Sequence, residues 1–458
     1  MAATVSPTAA PAAPPGRPRT WIPLLGVSFG YFTVLMDTTV LAVAEPDIAR
    51  SLGGSVAGLQ WTVTGYTVAF GGLLLSAGAV ADRFGAHRVF RAGMAVFGLA
   101  SLLSALAPGL WTLVALRGLL GVASAACVPA SMVMITMLYP EPAARARAVA
   151  AWAATSGAAM AAGPIVGGLL VGLAGWRAVF LVNVPLALLT LGLTAGRRVH
   201  CPRGARPINW TGQLAACTVL GLLTDALIAL GSGHTVHAAG SGAGLVAAAL
   251  CFAALERRGD NPVLAPAVLR ARAMRPALLA GAAVNFTLSS LLFVLPLVFR
   301  QTQHLSPLRT GLAFLPMTIP TAFNPLLTGR IVARTGPWRP VVAGLGLLAG
   351  AGLLFGVALP AGWGYRALSA GLLCAGFGVS YALPALTAAV ITTAPEGAAG
   401  AAGGLLNSVR QVGASVGVAA MGAFVDVGAA GPGDGAGYAL LLCAGVCTAA
   451  GIAVAARR

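Results

Sequence analysis

The chain has 458 residues, of which 58% are hydrophobic and only 9% are charged. Soluble domains carry about 25% charged residues, so this composition excludes a water-soluble protein and predicts a surface that faces lipid. The formal net charge is +17, and all 28 basic residues are arginines. They are scattered along the chain rather than clustered, which argues against a nucleic-acid partner.

Residues 1–20 are rich in Ala, Pro and Thr and precede the first long apolar run. This composition predicts a disordered cytoplasmic tail. It does not predict a signal peptide, because the apolar run that follows is too long for one and Asp37 interrupts it where a cleavage site is expected.

A membrane-spanning helix needs about 20 apolar residues, so the length of the chain allows about fourteen of them. Apolar runs predict helices at 21–44, 60–81, 89–107, 110–138, 147–171, 177–196, 211–231, 238–255, 276–299, 311–333, 340–359, 367–392, 399–426 and 437–455. The predicted fold class is an all-α polytopic membrane protein.

The distribution of arginines supports this topology. If the N-terminus is cytoplasmic, 21 arginines lie on the cytoplasmic side, and Arg117 and Arg410 lie within helices. The remaining five lie on the outer side: Arg50, Arg177, Arg300, Arg309 and Arg366. Such an excess follows the positive-inside rule and predicts that both termini are cytoplasmic. The abundance of Ala, Gly and Arg is typical of a high-GC bacterium, so the predicted location is the bacterial plasma membrane.

Two loops of the chain repeat one pattern 251 residues apart. One lies between the second and third predicted helices and the other between the tenth and eleventh. The shared residues are Gly78, Arg83, Gly85 and Arg88 in the first loop and Gly329, Arg334, Gly336 and Arg339 in the second. Both loops lie on the same predicted side of the membrane. This indicates two parallel halves, as in transporters whose halves rock around a site at the membrane midplane.

The first of these loops, which also holds Asp82, resembles the signature G-x-x-x-D-R-x-G-R-[KR] of the major facilitator superfamily. Other segments are similar to its fourteen-helix drug:proton antiporter subfamily, in the order of that family. They are Met36-Asp37-Thr38-Thr39-Val40, Gln60-Trp61 to Tyr66, Arg117 with Gly121, Gly163-Pro164-Ile165-Val166-Gly167-Gly168, Trp176-Arg177 to Pro185, and Asn407 to Gly413.

Some positions depart from the family pattern: Ala42, Glu45, Ala86, His87, Leu120 and Ala333. Glu45 stands where that family usually has leucine and Ala42 where it has asparagine. Several of these positions touch the expected inner cavity. The departures therefore leave the identity of the substrate undetermined, but they do not affect the predicted fold.

The resemblance implies two six-helix lobes, at 21–196 and 276–458, with two extra central helices and their flanking segments at 197–275. It also implies a multidrug or antibiotic efflux antiporter rather than an enzyme. The family's antiporter motif in the fifth helix corresponds to Gly163, Pro164, Gly167 and Gly168, and this motif marks exporters over importers. Taken alone, the same residues are equally typical of a packing notch between membrane helices.

Charged groups within membrane helices are costly and are the first functional candidates. Asp37 and Arg117 are predicted to lie at equal depth, about 10 Å below the outer surface at about 1.5 Å per residue. An ion pair between them would let Asp37 take up and release a coupling proton while Arg117 tunes its affinity. The alternative is a permanent salt bridge that holds two helices together. For Asp225, a polar contact with a neighbouring helix is favoured over a place in the lining of the transport cavity.

The glycines and charges of the repeated loops are predicted to latch the inner gate in the outward-open state, through charge-assisted hydrogen bonds between helices and close turns at Gly78 and Gly85. Determination of topology by arginine is the simpler role. Arg410 is expected to attract an anionic group, to pair with an acid, or to cap helix carbonyls. The candidates for a substrate cavity are Trp61, Tyr66, Asn183, Asn285, Phe286, Arg410 and Gln411.

The sequence thus predicts a proton-coupled exporter of a small amphipathic molecule, with H+ as coupling ion, no cofactor or metal, membrane lipid around it and no obligate protein partner. A solute:proton symporter of the same fold is the first alternative. A membrane-embedded lipid-linked transferase is disfavoured because His87, His200, His234, His237 and His304 are dispersed. An ATP-driven pump is disfavoured because the chain has no phosphate-binding Gly-Lys-Ser/Thr loop.

Overall fold

The computed structural model describes residues 21–196, 201, 208–259, 262–264, 266–271, 273–395, 399–426 and 432–456. The tail predicted at 1–20 lies outside these residues, as do the arginines at 197, 198, 203, 206, 272, 457 and 458. The predictions made for these residues remain predictions.

Helices form the regular structure of the described residues, and no strand occurs among them. They are α1 (Trp21–Leu52), α2 (Val56–Phe84), α3 (Ala86–Ala105), α4 (Leu110–Leu138), α5 (Pro142–Ala174), α6 (Arg177–Leu181), α7 (Asn183–Thr194), α8 (Trp210–Gly231), α9 (Thr235–Arg258), α10 (Pro266–Arg270), α11 (Met274–Gln301), α12 (Pro307–Ala313), α13 (Leu315–Thr335), α14 (Trp338–Ala358), α15 (Tyr365–Thr393), α16 (Ala399–Asp426) and α17 (Pro432–Ala455). The predicted all-α fold is confirmed.

Every predicted apolar run overlaps a helix. Within the sixth and the tenth run the helix is interrupted once. The breaks fall at Val182, before Pro185, and at Phe314, before Pro316. A proline removes one backbone donor and its ring crowds the carbonyl four residues earlier, so the helix is interrupted just before it. Twelve helical stretches of the described residues are long and apolar enough to cross a membrane, counting α6 and α7 as one. Fourteen crossings therefore remain a prediction.

Contacts between helices establish their directions. α1 runs parallel to α5, since Ser28 accepts a hydrogen bond from Thr155 and Val40 packs on Gly167. α13 runs antiparallel to α5, and α2 returns antiparallel to α1 after the turn at Gly53. Consequently α2 and α13 end at the same end of the molecule, and the repeated loops that follow them emerge together. This end is called the predicted inner end, and the opposite one the predicted outer end.

The helices pack into two bundles. In the N-terminal bundle (α1–α7), α1 packs on α5 and α7, and α4 packs on α2 and α3. In the C-terminal bundle (α11–α17), α14 packs on α15 and α17, and α11 packs on α16. Two like units agree with the parallel halves that the repeat predicted and with the six-helix lobes that the resemblance implied. The boundaries predicted for the lobes, 196/197 and 275/276, stay predictions.

The two extra helices form a hairpin at the side of the molecule. α8 packs on α9 and rests against both α2 and α16, which belong to different bundles. Gln213 of α8 donates a hydrogen bond to the carbonyl of Gly72 in α2. Asp225 of α8 accepts one from Ser241 of α9 at 2.5 Å and lies 2.7 Å from His237 Nε2. Asp225 thus makes the contact with a neighbouring helix that was favoured for it.

Candidate proton and substrate site

The two bundles meet along a seam formed by α1, α2 and α5 on one side and α11, α12, α13 and α16 on the other. Near the predicted outer end, Arg300 of α11 donates to both carboxylate oxygens of Asp47 in α1, at 3.2 Å each. Arg50 also pairs with Asp47. Beside this network lies a cavity of about 470 Å³, whose lining includes Pro46, Arg50, Arg300 and His304.

Further along the seam, α2 is bonded to α16 through main-chain and hydroxyl groups. Gln60 Nε2 donates to the carbonyls of Val418 and Ala419, both at 2.8 Å. One turn deeper, the hydroxyls of Thr67 and Ser415 are 2.7 Å apart. A side-chain amide that bonds two carbonyls of the opposite bundle holds these helices in one register.

The antiporter motif lies on this seam and on the adjoining contact with α1. A Cβ atom on Gly163 would lie 1.9 Å from Thr39 Oγ1, and one on Gly167 would lie 2.6 Å from the carbonyl of Val40. A Cβ on Gly168 would lie 2.5 Å from the carbonyl of Pro307 in α12, in the other bundle. The absence of side chains lets α5 approach both α1 and α12 closely, so the motif seals the predicted outer half of the seam. The structure is closed at that end.

Asp37 and Arg117 form an ion pair in the centre of the N-terminal bundle. Arg117 Nη1 donates to Asp37 Oδ2 at 2.5 Å, and both side chains are 1% exposed. Asp37 is on α1 and Arg117 is on α4, so the equal depth expected for them brings the two groups together. Both face the interior of the bundle rather than lipid.

Other helices of the same bundle complete the surroundings of this pair. Asn183 Nδ2 of α7 donates to Asp37 Oδ1 at 2.8 Å. Arg117 Nε donates to the carbonyl of Thr62 in α2 at 2.9 Å, and its guanidinium carbon lies 4.5 Å from the centre of the Tyr66 ring. Tyr66 in turn donates to Ser124 at 2.8 Å. The carboxylate and the guanidinium therefore each have partners besides each other.

This arrangement determines what the pair can do chemically. Loss of one partner leaves an uncompensated buried charge, at a cost of about 3–5 kcal/mol. A proton on Asp37 removes the charge of the carboxylate and with it the attraction that holds Arg117. The pair thus links α1 to α4 through opposite charges.

Two of the cavity candidates, Tyr66 and Asn183, belong to the surroundings of Asp37. Both are fully buried. The Tyr66 hydroxyl donates to Ser124 and Asn183 Nδ2 donates to Asp37, whereas Asn183 Oδ1 is buried without a hydrogen-bond partner. Trp61 of α2 is half-buried, while Asn285 and Phe286 of α11 are buried. Contact of any of them with a substrate stays a prediction.

Arg410 lies near the seam on α16 and has no acidic partner among the described residues. Its Nε donates to Asn285 Oδ1 at 3.1 Å and its Nη1 to Asn407 Oδ1 at 2.9 Å. Tyr31 of α1 lies within electrostatic range of it from the other bundle. Its neighbour Gln411 packs at the seam, where a Cβ on Gly71 would lie 2.5 Å from Gln411 Cβ. The charge of Arg410 is thus solvated by neutral amide oxygens alone.

An aromatic pair lies across from Arg410 in the N-terminal bundle. The rings of Tyr31 and Trp152 stack with centres 4.0 Å apart and planes 11° from parallel. Trp152 Nε1 is buried with no hydrogen-bond acceptor. Neither residue was a sequence candidate, and a lone aromatic in an apolar run gives no signal that it belongs to a pair between α1 and α5.

The repeated loops are partly as predicted. Gly85 and Gly336 end α2 and α13 with φ of +90° and +77°, a conformation that favours glycine. By contrast, a Cβ on Gly78 or Gly329 would meet nothing within 4 Å. The close approach predicted at Gly78 is therefore absent from this conformation, because no helix packs on that face.

The charges of these loops do not join the two bundles here. None of the ion pairs of the described residues contains Asp82, Arg83, Arg88, Arg334 or Arg339. The first turn of α3, which follows this loop, is instead bonded to the segment between α7 and α8, since His87 Nδ1 accepts a hydrogen bond from the amide of Cys201 at 3.1 Å. A latch predicted for the outward-open state is expected to be disengaged in a structure whose predicted outer end is closed, and its role remains a prediction.

Comparison with known proteins agrees with this architecture. A family model described as Major Facilitator Superfamily matches residues 27–418. The methylenomycin A resistance protein of Streptomyces coelicolor is 34% identical over 407 residues, which cover 88% of this chain and 85% of that protein. The puromycin resistance protein pur8 of Streptomyces alboniger is 36% identical over 418 residues, 88% of this chain and 81% of that protein.

Solved structures share the fold at lower sequence identity. A transporter of the POT family in complex with a thioalcohol-conjugated peptide superimposes with a TM-score of 0.74 at 13% identity, covering 95% of both chains. A bacterial homologue of the lysosomal transporter Spinster gives a TM-score of 0.69 at 18% identity, covering 96% of this chain and 97% of that one. With a family match over most of its length and relatives above 30% identity, the chain is a membrane transporter, not an enzyme, and belongs to the major facilitator superfamily.

Proposed function

We propose that this protein is a proton-coupled antiporter that exports small amphipathic molecules such as antibiotics. The observation that carries the proposal is the buried ion pair of Asp37 and Arg117, which joins α1 to α4 beside the seam between the bundles. Ionisable groups at this depth are rare in membrane helices unless they serve function. The names of the relatives, which confer resistance to methylenomycin A and puromycin, support the direction and the class of cargo.

Coupling follows because a proton and the Arg117 guanidinium compete for the carboxylate of Asp37. With the predicted outer end closed, Asp37 is ionised and bound by Arg117 and Asn183. When the seam opens at that end, water reaches the carboxylate and a proton neutralises it. Arg117 then loses its ionic partner, the contact between α1 and α4 weakens, and the bundle relaxes towards the conformation that releases the proton on the other side. Each proton moved inward drives one such change.

The cargo is expected to bind between the bundles near Arg410 and the stacked rings of Tyr31 and Trp152. These groups lie on α1, α5 and α16, which form the seam. A ring pair and a guanidinium fit a molecule with an apolar body and a polar group. Because they belong to opposite bundles, any rocking of the bundles changes the distance between them and hence the affinity for the cargo.

We propose that the protein lies in the bacterial plasma membrane with both termini cytoplasmic. The excess of arginine at the predicted inner end supports this orientation. In this orientation, the seam closed by Asp47, Arg300 and Gln60 faces the outside. The state described is therefore one that is closed towards the outside.

The test is transport in membranes that hold this protein alone. Everted vesicles are prepared from an efflux-deficient host, and respiration is used to acidify their interior. Uptake of labelled puromycin and methylenomycin A into these vesicles is then measured with and without a protonophore. Accumulation that the protonophore abolishes supports export by proton exchange. Uptake into right-side-out vesicles instead would identify a symporter, and transport that ignores the protonophore would refute proton coupling.

A further inference from the structure

Glu45 is a second buried carboxyl group of α1, two helical turns beyond Asp37 towards the predicted outer end. Its side chain is 2% exposed, and Oε2 has no hydrogen-bond partner. The neighbouring residues on its face of the helix, Leu41, Ala44 and Ile48, are apolar and buried. A carboxyl oxygen enclosed in this way without a donor is costly when charged, so the enclosed form is the one that carries a proton.

Arg117 is the charged group that acts on Glu45 from α4. Two other polar groups on helices packed against α1 are engaged elsewhere: Arg300 of α11 is bound to Asp47 and Tyr66 of α2 donates to Ser124. Arg117 itself is bound to Asp37. One guanidinium thus acts on two carboxyl groups of the same helix and is bonded to only one of them.

We propose that Glu45 is a second proton-binding site, coupled to Asp37 through the Arg117 they share. When Arg117 pairs with Asp37, Glu45 holds a proton; when that proton passes to Asp37 through water that enters as the seam opens, Asp37 becomes neutral and Arg117 is free to turn to the carboxylate left on Glu45. The number of bound protons is conserved in this exchange, and the carboxyls differ in depth by about 12 Å at about 1.5 Å per residue. Glu45 thereby passes protons from the outer end towards Asp37. This inference rests on the proposed proton coupling.

The experiment records infrared spectra of the purified full-length protein in lipid at neutral pH, because a protonated carboxyl has a carbonyl band that an ionised one lacks. The wild type is expected to show a band that E45Q and E45L both lose. In D37N, Arg117 has no other carboxylate, so Glu45 is expected to ionise and the same band to disappear. A matched control is D225N, which removes a carboxyl that is bonded to Ser241 and His237 on the central hairpin and should leave the band unchanged.

Transport supplies a second readout. E45L is expected to keep exchange of labelled for unlabelled puromycin across vesicles, because no net proton movement is needed, but to slow proton-driven export several-fold at alkaline outer pH. Leucine should be accepted at this site because its surroundings are apolar, and retained exchange shows that the variant folds.

A band that persists in E45Q, or that is absent from the wild type, overturns the proposal. A band that E45Q loses but D37N keeps overturns the coupling through Arg117. If wild-type transport ignores the proton gradient while the band behaves as expected, the proposed function fails and protonation of Glu45 stands. If wild-type export is proton-driven and E45L matches it at every pH, proton coupling stands and a role for Glu45 in it fails.

Discussion

The two bundles share one architecture but bury different chemistry. In the N-terminal bundle Asp37, Arg117 and Glu45 are all 2% exposed or less. The offset of 251 residues that relates the repeated loops places Leu288 against Asp37 and Leu368 against Arg117, and both leucines are buried. The N-terminal bundle therefore holds groups that can bind protons, whereas the corresponding places in the C-terminal bundle are filled by apolar side chains.

Several polar contacts within the C-terminal bundle join neutral groups. Asn324 of α13 donates to Ser380 of α15 at 2.7 Å, and Thr287 of α11 lies 3.1 Å from Cys447 of α17. Such contacts position helices without responding to protons near neutral pH. The comparison suggests a division of labour in which one bundle senses the proton and the other moves with it as a rigid unit and contributes Arg410 to the seam.

The largest effect is expected from D37N, which removes the charge that distinguishes the bundles. With a pH difference of about one unit, one coupled proton sustains about a tenfold gradient of substrate. D37N should sustain none, while exchange of labelled for unlabelled substrate continues. Steady-state accumulation in vesicles measures this, and a gradient equal to that of the wild type would show that Asp37 is only structural.

Next comes R117M, which leaves Asp37 charged and unpaired. The expected loss of stability is about 3–5 kcal/mol, seen as a lower thermal midpoint of the purified protein. The double variant D37N/R117M should recover much of that loss, because no buried charge remains. Equal midpoints for R117M and the double variant would mean that the ion pair is not what stabilises the contact between α1 and α4.

A change in the C-terminal bundle should separate binding from coupling. R410Q removes a guanidinium that contacts Asn285 and Asn407 and leaves the Asp37 cluster intact. We expect a several-fold higher substrate concentration at half-maximal export with the same dependence on the proton gradient. If R410Q instead abolished proton dependence, both bundles would take part in coupling and the contrast between them would be wrong.

The smallest effect is expected at the outer seam. The carboxylate of Asp47 and the guanidinium of Arg300 are partly exposed, and such pairs contribute about 0–1 kcal/mol. D47N should therefore shift the population towards the outward-open state only slightly. The measurement uses a cysteine placed at Ala49, which lines the outer cavity, in a background without the native cysteines. The rate at which a water-soluble thiol reagent labels this cysteine should rise modestly in D47N. An unchanged rate would mean that Gln60 and the glycines of α5 hold the seam closed without the pair of Asp47 and Arg300.

Much of the candidate site was accessible from the sequence because charge in an apolar helix stands out. Asp37, Arg117 and Arg410 are of this kind, and so is Asp225. Tyr31 and Trp152 were missed because aromatic residues are common in such helices and nothing in their spacing indicates stacking between α1 and α5. The seam was also out of reach, since Asp47 and Arg300 are 253 residues apart and meet only when two bundles assemble.

Taken alone, the sequence determined that this protein lies in a membrane and that its halves are alike and run in parallel. It located most helix ends to within one or two turns, but α1 ends at Leu52, eight residues beyond the predicted end at 44. These properties are local, because hydropathy, proline and arginine act on each segment through the lipid and the backbone. Only the tertiary structure decided that Asp37 pairs with Arg117, that Glu45 is enclosed without a donor, and that the seam is closed at one end. Those properties depend on which helix faces pack together. Each helix has several faces that are apolar enough to pack, so the pairing of faces is decided only when the whole bundle assembles.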